Sequence, residues 1–173
     1  MKSIRIEGDV AFVSLTQGYE AIIDAADVPL IAPFKWYAVV ARRKDGTVRT
    51  VYAARSRATH GKEAQKTINM HRVIADTPDG METDHKDGNG LNNRRENLRN
   101  ATREQNHHNT RTPAHNSSGF KGVRWNPRDN RWVARICINR KDVHLGYHVR
   151  LEDALAAYAK ASKEFHGEFG RLG

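Results

Sequence analysis

Asp84-His85-Lys86-Asp87-Gly88-Asn89, followed by Asn92, Asn93, Asn97 and then Asn106, is the stretch on which the reading of this chain turns. It gathers a carboxylate, an imidazole and several side-chain amides into a segment with almost no apolar residues. Such a segment contributes little to a hydrophobic core, so its order must come from polar contacts, a ligand or both. An Asp beside a His in that setting points to hydrolytic chemistry on a metal. The basic chain around it points to a polyphosphate substrate.

The 173 residues suffice for one ordinary domain or for two or three small ones. The chain is polar, with a mean hydropathy of −0.75, yet 38% hydrophobic residues and three Trp are enough for compact folding. No apolar run approaches the roughly 20 residues needed to span a membrane, and the N-terminus lacks a signal peptide's apolar stretch. A cytoplasmic protein with no membrane partner is therefore expected. A single cysteine, Cys137, excludes an internal disulfide framework and any Cys-based structural zinc. The net charge of +9 is concentrated in two blocks, residues 42–116 and 117–150, each with a net of +6. Two basic blocks between near-neutral ends suit a long polyanion, whose counterions Lys and Arg release on binding. The plain alternative is a soluble basic surface with no partner.

Around the polar stretch the pattern predicts an α+β chain. Ile4 and Ile6, then Val10, Phe12, Val13 and Leu15, form short β segments about a Gly8-Asp9 turn. Strands are predicted at 35–42 and 48–54, joined by a hairpin at Lys44-Asp45-Gly46-Thr47, because Asp-Gly supports a tight turn. His60-Gly61-Lys62 reads as a loop leading to a strand near 65–70, and residues 71–75 as a short helix stopped by Asp76-Thr77-Pro78-Asp79-Gly80. Thr102 with Gln105 matches a capping box, so a helix is predicted from 103 to about 109. Residues 110–118 lack apolar anchors and read as a linker. Three β segments follow, at 119–125, 131–138 and 142–147. An apolar helical stripe follows through Leu151, Ala154, Leu155, Tyr158, Ala159 and Phe165. In the middle strand Trp132, Ala134, Ile136 and Ile138 alternate with Arg131, Val133, Arg135 and Cys137, so the helix should cover the Trp132 face and leave the arginines outside.

Residues 70–109 resemble the HNH nuclease core, the ββα-metal finger of phage and intron-encoded homing endonucleases. The resemblance rests on Met70 to Ala75, Asp84 to Asn89, Asn92-Asn93-Arg94, Glu96-Asn97-Leu98-Arg99 and Asn106. Residues 119–172 resemble the AP2/ERF-type DNA-binding domain through Gly119 to Arg124, Trp132 to Ile136, Val143 to Gly146, and Glu152-Asp153-Ala154 through Tyr158. Arg135 stands where the plant proteins often carry Glu, and His144 where they often carry Trp, so their base preference does not transfer. The organisation expected is a β-rich region over 1–69, the finger over 70–109, a linker over 110–118 and the AP2/ERF-like domain over 119–173.

The first resemblance makes His85 the general base, a role a neutral imidazole can fill near pH 7. Asp84 and Asn106 would hold one divalent cation through oxygen, which suits Mg²⁺ or Mn²⁺. Because adjacent strand residues point to opposite faces, Asp84 and His85 must sit where the strand ends or bends. The Asn97 amide would hold the loop and orient His85. His107 is the rival metal ligand, one register away. His71 would brace the finger or simply start a helix. In the last domain Lys121, Arg124, Trp125, Arg128, Arg131, Arg135 and His144 would face a groove of double-stranded DNA, with entry of the sheet into the major groove. The implied function is a homing-type endonuclease, expected as a monomer. Plainer readings stand beside it. The Asn-rich run could be a solvated loop. An EF-hand register would place His85 where calcium wants a carboxylate. The four-residue spacing of His144 and His148 is interrupted by Gly146. The whole chain could also be a DNA-binding regulator with a silent finger.

Overall fold

The computed structural model describes residues 3–57, 66–110, 112, 116 and 118–172. The expected loop at His60-Gly61-Lys62 lies outside these, as does most of the expected linker at 110–118. The chain divides into two compact units, residues 1–102 and 103–173. That division falls before the helix that begins at Arg103, ahead of the expected linker at 110–118.

In the first unit, β1 (Ile4–Glu7), β2 (Val10–Ser14) and β3 (Glu20–Asp24) form an antiparallel meander. A short helix, α1 (Val28–Ile31), leads to a second antiparallel sheet of β4 (Tyr37–Arg42), β5 (Val48–Arg57) and β6 (Lys66–Asn69). The Asp45-Gly46 hairpin forms as predicted, with the Asp45 carboxylate accepting from the Thr47 amide and hydroxyl. Next come α2 (Met70–Ile74) and a two-stranded ribbon, β7 (Glu82–His85) with β8 (Leu98–Ala101). One core joins the two sheets, α1, α2 and β8: Val13 and Ile23 from the first sheet, Trp36 and Ala53 from the second, and Met70, Ile74 and Leu98 beside them. The first 69 residues therefore share their hydrophobic interior with the finger.

The chain between β7 and β8 docks on the first sheet by backbone pairing. The Ile22 amide donates to the Leu91 carbonyl (2.8 Å), and the Asn93 amide donates to the Ile22 carbonyl (2.7 Å). Gly90 lets the same loop lie close against β5 of the second sheet, because a Cβ there would run into the Val51 carbonyl and the Tyr52 ring.

In the second unit, α3 (Arg103–His108) precedes an antiparallel sheet of β9 (Val123–Asn126), β10 (Arg131–Ile138) and β11 (Lys141–His148), ordered β11-β10-β9. A 15-residue helix, α4 (Leu151–Phe165), covers one face. Its Ala154, Tyr158 and Ala161 pack with Val123, Ala134 and Ile136, and Trp132 and Ile138 flank them. This is the face that the alternation in the middle strand marked as apolar. β9 begins later than predicted. Gly122, at φ +71, leaves no room for a Cβ between the Tyr158 ring and the Arg135 carbonyl, and its own carbonyl accepts from the Arg135 amide (2.8 Å).

Candidate active site

Asp84 and His85 occupy the last two positions of β7 and are both buried, at 4% and 6% exposure. The strand stops there because Gly88, at φ +72, turns the chain and its amide returns to the His85 carbonyl (2.8 Å). Two neighbours that would face opposite ways in a continuing strand can both be enclosed at such an end.

The His85 ring meets Asn93, whose Oδ1 lies 3.2 Å from Nε2. Asn93 is fully buried, and its Nδ2 donates to the Leu91 carbonyl (3.2 Å) and approaches the Met70 sulfur (3.7 Å). With its amide nitrogen so engaged, Asn93 presents an acceptor to the ring, so Nε2 carries the hydrogen. In the neutral imidazole the lone pair then belongs to Nδ1. Burial lowers the pKa of His85, and this outweighs the Asn93 hydrogen bond and the Asp87 and Asp84 carboxylates, which act in the opposite sense. The ring is therefore neutral near pH 7, as a proton acceptor must be.

Two further rings close the wall. His71 stands edge-on to His85, with centroids 5.0 Å apart at 89°, and Tyr52 lies 5.4 Å from His71 and 5.9 Å from His85. His71 is 7% exposed and its Nδ1 finds no hydrogen-bond partner. Burial, then His85 and Arg72, push its pKa down to about 3.

Asn97 frames the loop. Its Oδ1 accepts from the Asp87 amide (3.1 Å), and its Nδ2 donates to Asp87 Oδ1 (3.0 Å) and to the Asn92 carbonyl (2.8 Å). Burial raises the Asp87 carboxyl, but hydrogen bonds from the Asn89 amide, Asn92 and Asn97 outweigh it and leave the pKa below its ordinary value. Asn93 thus contacts the His85 ring directly, while Asn97 acts on the loop that carries Asn93. Asp84 pairs across the ribbon with Arg99, whose Nε and Nη2 both reach Oδ2, at 2.8 and 2.7 Å.

The loop is also clamped by charge from the first sheet and the turn after it. Arg94 Nε donates to Asp24 (2.9 Å), the Arg95 amide donates to the other Asp24 oxygen (2.8 Å), and Arg95 grips the buried Asp27 with contacts of 2.7 to 3.1 Å. Burial alone would raise Asp24, but Arg94 and Arg95 hold it below the usual carboxylate range. Asn93, Asp24 and Asp27 have no role assigned from sequence alone. Asn93 carried a signal, an amide next to Asn92 inside the polar run. The two aspartates carried none, since their partners lie about seventy residues away in sequence.

Among the described residues no group of three or more His, Cys, Asp or Glu could hold a metal ion. A closed tetrahedral or all-carboxylate cage is thus not found there. One buried carboxylate at Asp84 fits instead a small hard cation that keeps several waters and takes other oxygens from its substrate.

In the second unit Asn106 lies on α3, next to His107. Arg124, Arg128, Arg131, Arg135 and His144 are all exposed. Arg135 pairs with His144, and Val133 lies between Arg124 and Tyr147, so Arg124, Arg135 and His144 share the sheet face away from α4. Trp125 does not join them. It stands opposite Trp132, with ring centroids 5.1 Å apart, because neighbours on one strand point to opposite faces. Lys121 is likewise spent elsewhere: its ammonium lies 2.6 Å from the His108 carbonyl.

Residues 70–108 match the family described as HNH endonuclease, so the ribbon and its buried Asp-His pair belong to a domain of that class. At the family level this is a divalent-metal-dependent nuclease domain acting on DNA. Over 98 residues the chain is 35% identical to "Protein 3.8" of Escherichia phage T7, an alignment that covers 55% of this chain and 78% of the relative. The chain belongs to the family of that phage protein. No solved structure matches it. No helix among the described residues is long and apolar enough to cross a membrane.

Proposed function

We propose that this protein is a homing-type endonuclease that hydrolyses phosphodiester bonds in double-stranded DNA, with His85 as general base and Mg²⁺ or Mn²⁺ held by Asp84 and Asn106. The observation that carries the reading is the contact between His85 and the buried Asn93. It fixes the tautomer, orients the ring and leaves Nδ1 as the basic nitrogen of a neutral imidazole. His85 Nδ1 takes the proton of the attacking water, and the nearby Asp87 and Asp84 carboxylates favour the imidazolium that results. The bound cation would neutralise charge on the scissile phosphate and the departing 3′ oxygen. Asn97 keeps the loop in the shape that holds Asn93 against the ring.

The second unit supplies the target. Its exposed sheet face, with Arg124, Arg135 and His144, and the nearby Arg128 and Arg131, is read as an AP2/ERF-like surface entering the major groove. Arginine there can read guanine through two hydrogen bonds, worth ~1–3 kcal/mol each time. With one finger per chain, a monomer cuts one strand per binding event.

The test is a plasmid-nicking gel with wild type and His85→Ala, each in Mg²⁺ and in EDTA, beside a binding assay in EDTA. Nicking by wild type in Mg²⁺ alone, lost in His85→Ala with binding retained, is the expected result. Binding by both proteins with no cutting by either would instead identify a DNA-binding regulator with a silent finger.

A further inference from the structure

The short helix α3, which carries Asn106, is tied at its C-terminal end to the sheet-and-helix module that follows it. The Lys121 ammonium, just before β9, lies 2.6 Å from the His108 carbonyl, 3.2 Å from that of Thr110 and 3.4 Å from that of His107. A lysine ammonium has three N–H donors, and here they face the last carbonyls of a helix, which otherwise have no partner within it. A cation at that end also meets the negative pole of the helix. The Thr110 hydroxyl closes the same turn, donating to the His107 carbonyl (2.8 Å). Burial, then the Arg171 charge, lower the pKa of Lys121, as befits an ammonium enclosed by protein rather than one extended into solvent.

A second tie is independent of the first. The His108 ring stacks on His166, with centroids 3.7 Å apart and planes at 14°. His166 follows the last turn of α4 and donates from Nε2 to the Cys137 carbonyl of β10 (2.8 Å). The end of α3 is thus packed on α4 and linked through it to the central strand of the sheet.

We propose that Lys121 and His108 are positioning residues, through which the C-terminal module fixes the helix that bears Asn106, and that Lys121 is not a DNA contact. This rests on the reading of Asn106 as a metal ligand. It gives the module two tasks, since the arginine face that meets DNA and the support of a catalytic ligand then lie in one packed piece. A chain ending before Lys121 would lose both.

The experiment uses the full-length protein with Lys121→Met, His108→Ala, Arg124→Ala and Asn106→Ala. Three quantities are read: Mn²⁺ affinity without DNA, duplex affinity in EDTA, and amide exchange across residues 103–110 in EDTA. Lys121→Met and His108→Ala should speed exchange over 103–110, leave exchange over α4 unchanged, and weaken Mn²⁺ binding roughly tenfold, the scale expected when support of a ligand is lost. Their duplex affinity should match wild type, while Arg124→Ala shows the reverse pattern. Lys121→Met with wild-type exchange and Mn²⁺ affinity but weakened duplex binding would overturn the proposal and make Lys121 a phosphate contact. If Lys121→Met does not fold, His108→Ala decides by the same criteria. Asn106→Ala separates the underlying reading: wild-type Mn²⁺ affinity in that variant removes Asn106 as a ligand, whereas the exchange result stands without it.

Discussion

His71 lies against the proposed general base with its ring buried and neutral, which should make the finger sensitive to acid. Its pKa in the fold is about 3, against an ordinary value of 6.5. The unfolded chain therefore binds a proton below about pH 6.5 that the folded chain refuses until about pH 3, and stability falls with falling pH across that window. Each pH unit inside the window costs about 1.4 kcal/mol, so moving from about pH 8 to about pH 5 removes about 2 kcal/mol. That is a large share of a small domain's stability.

His71→Leu removes this titration and replaces a ring whose Nδ1 has no partner. At about pH 8 the variant should lie within about 1 kcal/mol of wild type, because the buried Nδ1 that it removes made no hydrogen bond. Urea unfolding followed by Trp36 fluorescence, with Trp125 and Trp132 changed to Phe, reports on the first unit, whose core holds Trp36 and Met70 together. The stability lost between about pH 8 and about pH 5 should be about 2 kcal/mol smaller in His71→Leu than in the parent. The His85 ring remains in both proteins and its contribution largely cancels. An equal loss in both would refute the assignment of His71 as a buried neutral ring.

Three further outcomes are expected. Asn93→Leu should keep the fold, since the site is wholly buried, but lower the cleavage rate about tenfold or more with little change in duplex affinity. Single-turnover kinetics beside a binding titration checks this. The acid limb of the rate profile at saturating Mg²⁺ should fall below pH 6.5, because the lowered pKa keeps His85 neutral to more acidic pH; a limb above that value would point to another base. Arg124→Ala and Arg135→Ala should each reduce the dependence of duplex affinity on salt by about one counterion if they meet phosphate. Either should relax base preference at one position if it reads guanine.

Chemistry was more legible in the sequence than support was. Asp84, His85 and Asn97 stand out locally because a run so poor in apolar residues must be built from polar contacts, and all three are enclosed in the fold. The strands at 131–138 and the helix from 151 were legible for another reason: period two and period 3.6 are written locally. The face that Trp125 takes is not legible locally, because it depends on the strand's register. That register pairs it with Trp132. The surroundings of Lys121 are not legible locally either, because a lysine in a basic block resembles a phosphate contact. Only the fold reveals that the end of a helix lies beside it.

The first three strands illustrate what spacing cannot convey. β3 has no clean alternation, and nothing local marks Asp24 or Asp27 as more than surface acids in an acidic stretch of a basic chain. Their partners are Arg94 and Arg95, which from the sequence alone could equally have been counted toward a DNA surface. The pairing reverses both readings. Two positive charges are withdrawn from the polyanion surface and spent on holding the loop, and the local acidity of the N-terminal segment is what allows it. The buried Asp27 and the half-enclosed Asp24 fix the chain two residues beyond Asn93, and Ile22 fixes it at Asn93 itself through the backbone. A loop so poor in apolar side chains has no other means of holding an amide against an imidazole. If His85 is the general base proposed above, the N-terminal sheet belongs to the apparatus that holds it in place. Asp24→Ala, which leaves every proposed catalytic group in place, should lower the cleavage rate while leaving duplex affinity unchanged. A wild-type rate in that variant would show that backbone pairing at Ile22 alone suffices.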